Sequence, residues 1–143
     1  MILLDTDMMT TLHAPPSSAR DRLVQRLEAA DAAGEEAAVS IVSFEEQMRG
    51  WMSVISHARD AAGQVPACGR LRRLLEQYDE MRILDFDAAA AVQFQALRAG
   101  HRRANTMDLK IAAIAIAHDA LLVSGNARDF ATIPGLRFEP FRS

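Results

Sequence analysis

Short apolar runs alternate with longer stretches of helical periodicity along most of the chain. Ile2-Leu3-Leu4 is a continuous apolar triplet ended by Asp5, which predicts a buried strand. Pro15 and Pro16 close a short connection. Ser17 or Ser18 can then cap a helix with Leu23, Val24 and Leu27 on one face and Gly34 near its end. Val39, Ile41 and Val42 predict a second short strand just before Ser43. Ser43-Phe44-Glu45-Glu46 has the capping-box pattern and predicts a helix running to about Arg59.

Pro66 opens a further predicted helix whose Leu71, Leu74, Leu75 and Tyr78 share a buried face, and the polar stretch from Asp60 to Gln64 before it reads as a mobile connection. A third strand is expected from Met81 to Leu84. Asp87 caps an alanine-rich helix to about Ala99, with Val92 and Leu97 facing inward and Gly100 stopping it. Asn105 or Thr106 caps the next helix, which is apolar nearly all round from Leu109 to Ile116. Leu121-Leu122-Val123 predicts a fourth strand, a helical turn is expected between Arg128 and Ile133, and Arg137-Phe138-Glu139 an edge strand. Strands alternating with helices indicate an open α/β sheet, mostly parallel, covered by helices on both faces. No repeat or long linker divides the chain, so residues 1–143 read as a single domain.

Composition narrows the function classes. Half of the residues are apolar and 24% are charged, as in ordinary globular proteins, while a net charge of −3 argues against a broad basic surface for long nucleic acid. The lone Cys68 excludes an intrachain disulfide, and His13, His57, His101 and His118 are too scattered for a zinc site. The N-terminus lacks a basic leader and no apolar run approaches a membrane span, so a cytoplasmic protein is expected. Arg70, Arg72 and Arg73 read as a solvated helix face, and Trp51 as a packing residue. Arg102, Arg103, Lys110 (the only lysine) and Arg128 lie close enough to acidic segments to be candidate phosphate contacts.

In an open parallel sheet the ligand crevice lies beyond the carboxyl ends of the strands. Asp5 follows the first strand, Glu46 opens the helix after the second, and Asp108 opens the helix before the fourth. Asp129 and Asn126 follow the fourth strand. Each has a quieter reading: a turn for Asp5, a capping box for Glu46, a helix-dipole contact for Asp108, and a local pairing of Asp129 with Asn126. Their shared edge is the argument. Carboxylates gathered there repel one another unless a cation intervenes, and all-oxygen ligation suits Mg²⁺ or Mn²⁺. Glu45 and Glu46 point about 100° apart on a helix, so at most one is a principal ligand. Thr6, Asp7, Ser43, Thr106, Ser124 and Asn126 are placed to support the carboxylates or the metal's waters. No histidine or cysteine is placed as a base or nucleophile.

These segments resemble PIN domains, specifically the VapC-type toxin ribonucleases of bacterial toxin–antitoxin pairs. Leu3-Leu4-Asp5-Thr6-Asp7 resembles the family's first motif, with Asp7 where asparagine is usual. Ser40-Ile41-Val42-Ser43-Phe44-Glu45-Glu46-Gln47-Met48-Arg49-Gly50 resembles the second, in which the glutamate four positions before the glycine is Glu46. Thr106-Met107-Asp108-Leu109-Lys110-Ile111 resembles the third. Leu122-Val123-Ser124-Gly125-Asn126-Ala127-Arg128-Asp129-Phe130 resembles the fourth, followed by Ile133-Pro134-Gly135-Leu136. Family members carry an acid at the position of Asn126, of Asp129, or of both.

The resemblance implies a PIN-like three-layer sandwich and a metal site of Asp5, Glu46, Asp108 and Asp129 holding Mg²⁺ or Mn²⁺. It also implies endonucleolytic cleavage of RNA, a homodimer, and inhibition by a cognate antitoxin. Two other readings stay open. Asp5-Thr6-Asp7 also resembles the opening of haloacid-dehalogenase-type phosphatases, with Asp5 as nucleophile, and the cleft could belong to a non-catalytic PIN-like interaction module. The Met8, Met9 and Leu12 cluster leans toward an interface.

Overall fold

A computed structural model describes residues 1–142 of the chain. The elements run β1 (Ile2–Leu4), α1 (Thr6–Leu12), α2 (Ser18–Ala32), β2 (Ala37–Ser40), α3 (Ile41–His57), α4 (Ala61–Asp79), β3 (Arg82–Leu84), α5 (Ala88–Gly100), α6 (Thr106–Ala117), β4 (Leu121–Ser124), α7 (Ala127–Phe130) and β5 (Arg137–Pro140). The five strands form one parallel sheet in the order β3-β2-β1-β4-β5. The α/β expectation, with a parallel sheet between helical layers, is met.

Alternation along the short strands divides the core in two. Leu3, Ala38 and Leu122 point to one face, where α5 and α6 cover them. Ile2, Leu4, Val39 and Val123 point to the other, against Met8, Met9, Leu23, Leu74 and Tyr78. Both faces being covered explains why the strands read as continuous apolar runs. In α6, Leu109, Ile111, Ala112, Ala113, Ile114 and Ala115 are fully buried, the alanines allowing close approach to α5 and the sheet.

Several expectations are corrected. The segment after Asp5 is not a mere connection but α1, and it carries Met8 and Met9 into the core at 3% and 1% exposure rather than to an interface. Ile41 and Val42 are helical, not strand, because Ser40 caps α3 by accepting the N–H of Ser43 at 3.0 Å. Two serines three residues apart could each cap a helix. Ser40 takes the role because Val42 then buries against the sheet's other face.

Helix α4 starts at Ala61 rather than Pro66, since Asp60 Oδ1 accepts the Gly63 N–H at 2.8 Å. The stretch from Asp60 to Gln64 is therefore a capped first turn, and the proline costs one intrahelical bond without ending the helix. Leu75 and Val92 are exposed, at 53% and 69%, because they lie off the stripes formed by Leu71, Leu74 and Tyr78 and by Ala90, Phe94 and Leu97. Among the described residues no helix is long and apolar enough to cross a membrane.

Candidate active site at the strand ends

Register fixes the site's frame. Leu4 pairs with Val39 on one side and with Val123 on the other, so Asp5, Ser40 and Ser124 emerge level at the same edge of the sheet. Asp5 is 5% exposed and caps α1, with its Oδ1 accepting the Thr6 N–H at 2.8 Å and its Oδ2 accepting the Ser124 hydroxyl at 2.7 Å. Ser124 Oγ in turn accepts the Asn126 N–H at 2.9 Å. Ser43 is buried and receives the Thr6 hydroxyl at 3.0 Å and the Ser40 hydroxyl at 3.3 Å, which locks the start of α3 against α1. Asp7 Oδ2 accepts the Gly125 N–H at 3.1 Å, and a Cβ at Gly125 would stand 2.9 Å from that oxygen. A side chain there would have to displace the Asp7 carboxylate and loosen that bond.

Asn126 spans two carboxylates: its side-chain amide lies 2.9 Å from Asp129 Oδ2 and 3.5 Å from Asp108 Oδ2. Burial lifts the Asp5 carboxyl to a pKa of about 7, helped by the charges of Asp7 and Asp108, even though its hydrogen bonds to Ser124 and Thr6 pull the other way. Burial likewise lifts Asp108 to about 6, with Glu46, Asp129 and Asp7 adding repulsion. Five carboxylates, from three strand–helix junctions and the start of α6, thus share one field. None of the ion pairs among the described residues engages Asp5, Asp7, Glu46, Asp108 or Asp129.

No three His, Cys, Asp or Glu side chains among the described residues stand close enough to close a metal's coordination shell. The chemistry of the donor set nonetheless fits a hard divalent cation. Every group is an oxygen, two carboxyls are pushed toward their neutral forms by burial and mutual repulsion, and a nearby double charge would let them ionise together.

The other expected residues are distributed unevenly. Thr6, Asp7, Ser43, Ser124 and Asn126 touch the carboxylates or their immediate supports. Thr106 does not, for its hydroxyl accepts from Arg98 at 2.6 Å and ties α6 to α5. Lys110 lies over the rings of Phe86 and Phe94, at 5.3 and 5.9 Å, and pairs with none of the acids among the described ion pairs, so it does not stand as a phosphoaspartyl mechanism's lysine bonded to Asp5. Arg102 and Arg103 are exposed in the α5–α6 connection, and Arg128 lies on α7.

Each of the four histidines stands at a helix C-terminus with Nδ1 donating to the carbonyl four residues back, at 2.7 to 3.0 Å. They are terminal caps, not bases. Sequence reasoning overlooked Gln47, which follows Glu46. Its Oε1 accepts the Tyr78 hydroxyl at 2.5 Å and its amide donates to Thr10 at 3.3 Å. The Tyr78 hydroxyl is pushed well above its ordinary pKa by burial and by Glu46 and Asp5. Only the meeting of α1, α3 and α4 reveals this bridge.

Similarity to known structures agrees with the geometry. A chain of VapBC2 from Rickettsia felis, in a structure bound to a DNA fragment from its promoter, matches with a TM-score of 0.73 and 26% identity, covering 99% of this chain and 100% of that one. FitAcB from Neisseria gonorrhoeae matches with a TM-score of 0.69 and 21% identity over the full length of both chains. A toxin–antitoxin complex from Klebsiella pneumoniae matches with 0.65 and 24%, covering 95% of each. No curated protein sequence matches the chain. The PIN domain family model matches residues 2–136, and this protein therefore belongs to the PIN domain family, nucleases that hydrolyse phosphodiester bonds and generally use divalent metal ions.

Proposed function

We propose that this chain is a Mg²⁺- or Mn²⁺-dependent endoribonuclease, the toxin of a toxin–antitoxin pair acting in the cytoplasm. The observation that carries the reading is the gathering of Asp5, Glu46, Asp108 and Asp129 from separate segments around one strand edge, where Asn126 spans Asp108 and Asp129, and where burial, with repulsion from neighbouring acids added, lifts Asp5 and Asp108 above the usual carboxylate range. Asp5, Glu46 and Asp108 would hold the cation, with Asp129 as its fourth carboxylate. When bound, such a cation would supply activation of water and shielding of the phosphate's charge. The protein's part is positional. Ser124 and the Thr6 N–H orient the Asp5 carboxylate, Asn126 keeps Asp108 and Asp129 together, and Ser43 ties the α3 start that carries Glu46 to α1. Attack by water requires no side-chain nucleophile and leaves a 5′-phosphate and a 3′-hydroxyl.

The likeness to VapBC2 and to the Klebsiella toxin–antitoxin complex supports a cognate antitoxin as partner, and the family resemblance supports a homodimer. RNA cleavage by antitoxin-free protein loaded with Mg²⁺ or Mn²⁺, with the product ends mapped, tests the reading. Cutting by the wild type and silence of Asp5→Asn are expected. An intact fold that binds no divalent ion would instead favour a non-catalytic interaction module.

A further inference from the structure

Beyond the carboxylates, α1, α3 and α4 enclose a cleft of about 340 Å³. Buried Met9 and Leu74 form its apolar base, and half-buried Trp51 forms a wall. The Arg70 guanidinium lies 5.6 Å from the Trp51 ring centroid, and Arg73 lines the same cleft one turn later on α4. The three arginines that read as one solvated face are thereby separated. Arg72 pairs with Glu76 at 3.3 Å, whereas neither Arg70 nor Arg73 has a carboxylate partner among the described ion pairs.

The cleft is linked to the carboxylate site through Gln47, which lines it and accepts the hydroxyl of Tyr78, a group that feels the charges of Glu46 and Asp5. Gln47 and Thr10, which line its near side, are hydrogen-bonded to each other, and Gln47 directly follows Glu46. Trp51 stands four residues beyond Gln47 on the same face of α3, about 6 Å along its axis. A polyanion approaching the acids meets repulsion from five carboxylates on a chain of net charge −3, so its grip must come from local cations. Arginine forks match phosphate, and aromatic or guanidinium planes accept a base of any identity. More of the lining side chains are polar or charged than apolar, which suits alternating base and phosphate better than the continuous apolar face of a docked helix.

The geometry points to a single-stranded RNA subsite in this cleft, with one flanking base stacked on the Trp51–Arg70 pair and the adjoining phosphates held by Arg70 and Arg73. The inference rests on the ribonuclease reading, and its test has separate arms. The cleavage assay above decides the nuclease. For the cleft, Asp5→Asn protein is titrated with a short fluorescein-labelled single-stranded RNA of mixed sequence, by anisotropy, across roughly 50 to 200 mM KCl.

Adding Arg70→Ala and Arg73→Ala should weaken binding about tenfold or more. The same pair should reduce the slope of log affinity against log salt by about 1.4, since each phosphate left without its arginine accounts for about 0.7. Trp51→Ala should weaken binding about fivefold to a hundredfold with little change in slope, and Trp51→Phe should recover most of it. Unchanged affinity and slope in the arginine variant would overturn the subsite. If that variant also ceased to co-purify with a co-expressed antitoxin, the cleft would belong to the protein partner instead.

Discussion

Asparagine in place of Asp5 should stabilise the metal-free protein while abolishing its activity. The Asp5 carboxyl is 5% exposed and its pKa rises from 3.8 to about 7 on folding. An acid whose folded pKa exceeds its unfolded value binds its proton more tightly when folded. Stability is therefore retained at low pH and lost as pH climbs from near 4 to near 7. At about 1.36 kcal/mol per pKa unit, ionising Asp5 costs the metal-free fold on the order of 4 kcal/mol at neutral pH, a large share of a typical domain's stability. Asp108, lifted to about 6, works in the same direction. An Asp5→Asn side chain keeps an oxygen for the Thr6 N–H, and the Ser124 hydroxyl can turn to accept its amide. Urea denaturation followed by circular dichroism, in a chelator, at about pH 4.5 and about pH 8, measures the effect. The variant should be several kcal/mol more stable than wild type at the higher pH and close to it at the lower. Excess Mg²⁺ should raise the wild-type midpoint far more than the variant's. A variant less stable than wild type at about pH 8, or a difference that does not vary with pH, would refute the electrostatic account.

Other residues give sharper local tests. Asn126→Ala should release Asp129 from Asp108 and lower metal-dependent cleavage about 10- to 100-fold with little change in melting temperature, read from initial rates and a thermal scan. Ser40→Ala removes the cap of α3 and should cost about 1 kcal/mol in chemical denaturation. Ser43→Ala leaves that cap's acceptor in place, and its expected effect is on cleavage, through the broken tie between Thr6 and α3. Gly125→Ala puts a methyl against Asp7 and breaks the Gly125–Asp7 bond, for about 1 to 2 kcal/mol. In an Asp7→Ala background the same change should cost much less, which a double-mutant cycle measures.

Much of the fold was legible because its signals are local. Short continuous triplets bounded by polar residues, such as Ile2-Leu3-Leu4, read as strands covered on both faces, and Asp87 and Asn105 cap the helices their positions announce. Acids just after strands (Asp5, Glu46 and Asp129) and at the start of the helix before the fourth strand (Asp108) pointed to one sheet edge as the candidate site. Misreadings arose where two local signals competed. Ser40 and Ser43 both carry capping chemistry, and only the packing of Val42 decides between them. Pro66 looks like a start until the Asp60 cap is seen upstream.

What the sequence by itself determined is therefore the alternation of strands and helices, the mostly parallel sheet and the acids that stand as candidates at its edge, all of which depend on periodicity and on which residues flank each strand. Tertiary structure alone decided that Ser124 holds Asp5, that Asn126 spans Asp108 and Asp129, that Lys110 turns to Phe86 and Phe94, and that Arg70 and Arg73 part company with Arg72. Those pairings join residues up to 119 positions apart. Their existence depends on strand register and on the rotation of each helix about its axis, which no local pattern of residues encodes.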